Sequence, residues 1–134
     1  MDSTEVTVRT GTRPAVVDLT GDVADFCRDR GDGLVSVFVP HATAGVAVIE
    51  TGSGSEDDLL AALGDVLPRD ERWRHRHGAA GHGADHLLTA FVAPSLTIPV
   101  LGGRPTLGTW QSIVLVDTNG DNPDRRVRLS FLAG

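Results

Sequence analysis

The chain has 134 residues, 40% of them hydrophobic and 22% charged, with a formal net charge of −6, one cysteine and no tyrosine. That length suits one domain over residues 1–134, able to bury roughly two-thirds of its unfolded surface with no disulfide or metal as a staple. An acidic balance repels a phosphate backbone and the aromatic rings are few, so nucleic acid is not an expected partner.

The opening MDSTEVTV is acidic where a secretory signal would be basic and then apolar, which makes the cytoplasm the expected compartment. EVTVRT, 5–10, alternates Val6 and Val8 with polar neighbours at the period of a half-buried strand, and AVVDL, 15–19, extends or follows it. Thr20 is placed to cap a short helix through GDVADFCRDR, with Asp22 and Asp25 near its start, Arg28 and Arg30 near its end and Gly31 as the stop. Val23 and Phe26 form its apolar face, and Cys27 beside them reads as a small buried residue. LVSVFV, 34–39, is a strand ended by Pro40, and GVAVIE, 45–50, is another, with His41 between them.

TGSGS then leads into a helix from about Ser55 to Leu67, with Ser55 as N-cap, Asp58 at the capping-box position and Leu59, Leu60, Leu63 and Leu67 along one stripe. Glu56, Asp57 and Asp58 in its first turn oppose a bound phosphate, so the glycines read as a capped turn and not as a phosphate loop. A third, short helix is expected around 85–92, presenting Leu87, Leu88 and Phe91 and stopped before Pro94. The tract LLTAFVAPSLTIPVL, 87–101, is broken by two prolines and too short to cross a bilayer, so no membrane partner is expected. SLTIPV, GTWQSIVLVD and RVRLSF close the chain as three strands, with Trp110 expected as a core anchor, Gln111 pairing with nearby backbone, and Asp117 and Asn119 in a turn by default or, by proximity alone, at the site. The fold class is α+β, a compact sandwich of mostly antiparallel sheet with two to three helices.

Chemistry concentrates in RWRHRHGAAGHGADHLL, 72–88, which holds four of the five histidines. With one cysteine, imidazoles are the available borderline ligands, and three of them leave an open coordination position of the catalytic kind. Spacing offers two pairs: His75 and His77 share a face of an extended segment, and His82 and His86 share a face of a helical turn. The competing reading is a solvated loop of histidines among Gly and Arg. His41 follows a rigid strand and is placed as a ligand or base, or as a strand-end residue bonded to backbone. Glu50 and Asp58 are candidates to bind a cation or orient a histidine, and Arg104, after a double glycine, is a candidate to receive an anionic group.

HATAGVAVIE (41–50), WRH (73–75), HLL from His86, PSLTIPV followed by GGR, and LGTWQSIVLVD (107–117), with Gly103 and Gly108 five positions apart, together resemble the YjbQ family, small proteins described as secondary thiamine-phosphate synthases. The resemblance covers nearly the whole chain. It implies a homotrimer with its site near a subunit boundary, a site of His41, His75 and His86 holding a divalent metal, and the acid of the first segment at Glu50. His77 and His82 have no counterpart in the family pattern and are expected as bystanders. Trp73 stands where tyrosine is common, Ala84 and Asp85 precede His86 where the acid often lies elsewhere, and TNGDNPDRR replaces a shorter acidic turn.

The activity that goes with the resemblance joins a pyrimidine diphosphate to a thiazole phosphate. Three imidazoles suit Zn²⁺, whereas a diphosphate would call for Mg²⁺ on oxygen ligands, so a metal-assisted hydrolytic or phosphate-handling reaction on a small phosphorylated molecule is the neighbouring expectation. The contrasting one is a non-catalytic trimeric module that binds a metal or an anion.

Overall fold

The computed structural model describes residues 1–134. Strands β1 (Asp2–Arg9), β3 (Gly33–Phe38), β5 (Ser95–Leu101), β6 (Arg104–Pro105) and β8 (Asp124–Ala133) form a five-stranded sheet in the order β1-β8-β3-β5-β6, and β2 (Ala15–Asp18), β4 (Ala44–Ile49) and β7 (Ser112–Asp117) form a three-stranded one in the order β2-β7-β4. Every pairing is antiparallel. The fold is α+β, as the order of elements implied.

Two hydrophobic clusters define three layers. Val35, Val37, Val127 and Leu129 of the larger sheet meet Val46, Ile113 and Leu115 of the smaller one, with Val23, Phe26 and Cys27 of α1 (Thr20–Cys27) closing one side. The opposite face of the smaller sheet, Val114 and Val116, packs under Leu63 and Leu67 at the end of α2 (Ser55–Val66) and Leu88 of a 3₁₀ helix (His82–Ala90). SIVLVD therefore reads as an unbroken apolar run because β7 is buried on both faces, each such side chain contributing about 1.5–3 kcal/mol. No helix is long and apolar enough to cross a membrane.

Three local expectations are corrected. Trp110 is not a core anchor: Gln111 Oε1 accepts the Gly108 N–H at 2.8 Å, closing GTWQ into a tight turn that leaves the indole 73% exposed. Thr20 does not cap α1, since its hydroxyl accepts the Ile113 N–H at 2.9 Å and ties the helix start to β7. At α2 the cap position is Gly54, and Glu56, not Asp58, reaches back to take the Gly52 N–H at 2.7 Å.

Candidate functional site

The segment between α2 and the 3₁₀ helix is fixed by its own side chains. Trp73 Nε1 donates to the Pro68 carbonyl at 2.8 Å, and Arg76 donates to the Trp73 and Glu71 carbonyls at 3.0 and 2.8 Å. Gly81, at φ 76°, turns the chain into the 3₁₀ helix. At Gly83 the helix passes so close that a Cβ would lie 2.5 Å from the His75 carbonyl oxygen and 2.6 Å from Trp73 Cβ. That contact lays His86 beside His75.

Four imidazoles meet there. His75 and His77 face each other through Nε2 at 2.6 Å, His82 and His86 likewise at 2.7 Å, and the His75 and His86 ring centroids stand 4.2 Å apart. One ring nitrogen from each of His75, His77 and His86 lies within 4.8 Å of the others. Two ring nitrogens at these separations share a proton as N–H···N. A tetrahedral zinc with bonds of about 2.0–2.1 Å would hold its nitrogens about 3.3 Å apart, so accommodating an ion requires a modest spreading of the exposed His75 and His77 rings. A cavity of about 210 Å³ opens on one side, lined by Asp70, Glu71 and the two exposed histidines among others. Another of about 300 Å³ opens beside His86.

Polar groups behind the cluster orient it. Asn119 Oδ1 accepts the Asp121 N–H at 2.6 Å, so its Nδ2 is the group facing His82 Nδ1 at 3.0 Å and donates there. The same Nδ1 stands 3.3 Å from Asp121 Oδ2, while His82 Nε2 faces His86. Buried Asp85 lies 3.6 Å from the same Nδ1 and is held by Arg69 and by the Thr118 hydroxyl at 3.0 Å. Asp117 accepts the Asn119 N–H at 2.9 Å and Arg125 Nε at 2.7 Å, and Arg125 also donates to Thr43 Oγ1 at 2.9 Å. Burial lowers the pKa of His86, and the neighbouring His75, His82 and His77 lower it further against Asp85. Its ring stays neutral, with a lone pair to offer, to lower pH than an ordinary histidine.

The expected site residues divide. His75 and His86 come together. His41 stands apart within the chain, past the end of β3, where its Nε2 accepts the Arg126 N–H at 3.0 Å, and His77 takes the third place. Burial, then Arg125 and Arg126, lowers the His41 pKa. His77 and His82 are members of the cluster and not bystanders, as the two spacings allowed. Glu50 is exposed just past β4, and Asp58 is exposed on α2. Arg104 lines a separate cavity of about 540 Å³ with Arg28, Asp29 and Leu107, which shares no residue with those at the histidines. Sequence reasoning noted Asp85 only as a departure ahead of His86 and did not find its pairing with Arg69, sixteen positions away, which no local pattern announces. Asn119, a turn residue by default and a site candidate only by proximity, is buried against His82.

The family model for UPF0047 protein YjbQ-like matches residues 4–134. UPF0047 protein Rv2556c of Mycobacterium tuberculosis is 64% identical over the full length of both chains, and a UPF0047 protein of Archaeoglobus fulgidus is 31% identical over 90% of this chain and 94% of its own. Among solved structures, the hypothetical protein APE1520 of Aeropyrum pernix superposes with a TM-score of 0.90 at 34% identity over all of both chains. The YbjQ-like protein of unknown function SSO2532 of Sulfolobus solfataricus gives 0.91 at 25% identity over 99% of this chain and 97% of its own. Sequence and three-dimensional likeness thus agree over the same span, strands and histidine segment included, and the chain belongs to the YjbQ-like UPF0047 family.

Proposed function

We propose that the protein is a metal-dependent enzyme acting on small phosphorylated molecules, with His75, His77 and His86 holding a divalent ion of the zinc type. The observation that carries this reading is the convergence of three imidazole nitrogens within 4.8 Å beside open cavities. An all-imidazole set suits Zn²⁺ or a similar ion better than Mg²⁺, and three ligands leave a position free. Such an ion supplies Lewis acidity toward a phosphoryl oxygen and a water far more acidic than bulk water. Asn119 bonds His82, whose Nε2 faces His86 at 2.7 Å, and the lowered pKa of His86 favours its unprotonated, ligating form.

Hydrolysis is favoured over thiamine-phosphate formation because an all-imidazole set suits a zinc-type ion that activates water, whereas a diphosphate calls for Mg²⁺ on oxygen ligands, and Arg104 lines a different cavity. The assembly in this reading is a homotrimer formed through the outer face of the five-stranded sheet, where Leu34, Phe38 and Leu132 are uncovered, and His41 would join such a site only from another copy. Light scattering at three times the 14.1 kDa chain mass is the check on assembly.

One observation favours the second reading, a non-catalytic metal-binding module: His82 Nε2 lies 2.7 Å from His86 Nε2, near enough to supply a fourth imidazole and close the coordination sphere. Metal analysis of protein purified without an affinity tag, coupled to assays of phosphate-ester hydrolysis and of the thiamine-phosphate coupling, separates the two. The enzyme reading expects stoichiometric metal and hydrolysis, both lost in His75→Ala and His77→Ala, with metal retained in His41→Ala. Metal without turnover selects the module. Failure to bind zinc or any similar ion overturns both.

A further inference from the structure

Four arginines lie between α2 and the 3₁₀ helix, and three are already engaged. Arg69 is paired with Asp85, Arg72 with Asp70, and Arg76 is bound to two backbone carbonyls. Arg74, between Trp73 and His75, takes no hydrogen bond or ion pair. It lines the cavity of about 300 Å³ whose other walls are Trp73, His75, Gly83, His86 and Leu87. No carboxylate lines that cavity, whereas Asp70 and Glu71 line the one on the other side of the histidines. The mouth with Asp70 and Glu71 also holds Arg76, already bound to backbone carbonyls, so the Arg74 side is the one with an unengaged guanidinium and no carboxylate.

The opposite wall is apolar. Trp73 has spent its indole N–H on the Pro68 carbonyl and offers only ring surface, and Leu87 is partly exposed beside it. A free guanidinium, two imidazoles and an aromatic-aliphatic wall suit one ligand chemistry: an oxyanion carried on a small flat organic group. A planar fork of N–H donors binds phosphate oxygens in pairs, and the volume sits at the lower limit of roughly 300–1,000 Å³ typical of small-molecule sites.

We infer that Arg74 is the anion-binding residue of this site, holding the phosphate of a small organic phosphate monoester beside His75 and His86 while Trp73 and Leu87 hold its organic part. The inference rests on the proposed function and deepens it by naming the substrate class and the residue that selects it. Metal-free protein is titrated calorimetrically with phenyl phosphate and with inorganic phosphate. Phenyl phosphate binds the more tightly, because only it reaches the apolar wall. Arg74→Ala weakens it on the order of 10- to 100-fold, the range for losing a charge-assisted bidentate contact. Arg74→Lys, which keeps the charge and loses the fork, falls between, and Arg9→Ala, an equal charge change at the exposed end of β1, leaves binding unaltered.

Wild-type affinity in Arg74→Ala overturns the inference, as does failure of the wild type to bind either probe. Outcomes for the two proposals remain distinct. A protein that takes up no metal yet binds phenyl phosphate through Arg74 loses the metal reading and keeps this one. A zinc-loaded enzyme whose KM for phenyl phosphate is unmoved by Arg74→Ala keeps the metal reading and loses this one.

Discussion

At the scale of single residues, His41, expected as a metal ligand, serves structure within the chain. Its Nε2 takes the Arg126 N–H, which only the unprotonated nitrogen can do, and burial together with Arg125 and Arg126 lowers its pKa against the weaker pull of Asp117 and Glu5. A histidine whose folded pKa lies below its unfolded value near 6.5 contributes stability that is complete above that value. The contribution is lost as pH falls toward the lowered folded pKa, because the unfolded chain binds the proton first. The melting temperature of the metal-free protein is therefore expected to fall between pH 7 and pH 5, with His41 contributing a part that solvent screening keeps small. His41→Gln, whose amide oxygen can accept the same N–H, should show a shallower fall over that interval. Equal slopes in the two proteins would mean that His41 titrates as it does in the unfolded chain.

At the scale of elements, the strands were legible because their signal is local: Val6 and Val8 alternate, Pro40 ends β3, and the apolar stretch SIVLVD forms β7. Within the site, the two-residue and four-residue spacings each predicted a pair that the fold contains. What no spacing could reveal is that the pairs meet each other, since that depends on the 3₁₀ helix passing over residues 73–75 at a distance only glycine permits. Trp110 was illegible for a related reason, because its exposure follows from how Gln111 folds the turn and not from the indole's own hydrophobicity. Gly83→Ala tests the helix contact. Its Cβ would meet backbone and a fixed indole stem, so the helix must shift, at a cost of about 1–3 kcal/mol for overpacking. The shift should also draw His86 from His75 and weaken zinc binding measured by competition with a chelator. Destabilisation with unchanged zinc affinity would place the ligand geometry under some other control.

At the scale of the whole molecule, the two sheets are joined by more than the apolar layer between them. Arg125 on β8 is 3% exposed, Asp117 on β7 is fully buried, and Thr43 on the approach to β4 accepts a third bond from the same guanidinium. Asp117 in turn holds the Asn119 backbone, and Asn119 holds His82, so the sheet-to-sheet pair also fixes the floor of the histidine cluster. Removing one member of a buried ion pair strands the other charge, which costs about 3–5 kcal/mol, whereas neutralising both can be nearly without cost. Arg125→Met alone is accordingly expected to lower the urea midpoint severely. Asp117→Asn combined with Arg125→Met should recover most of the loss, because the amide still accepts the Asn119 N–H and no charge remains buried. Were the double variant as unstable as the single one, the geometry of the guanidinium fork, and not charge balance, would be what joins the sheets, and the histidine floor should then loosen in both variants alike.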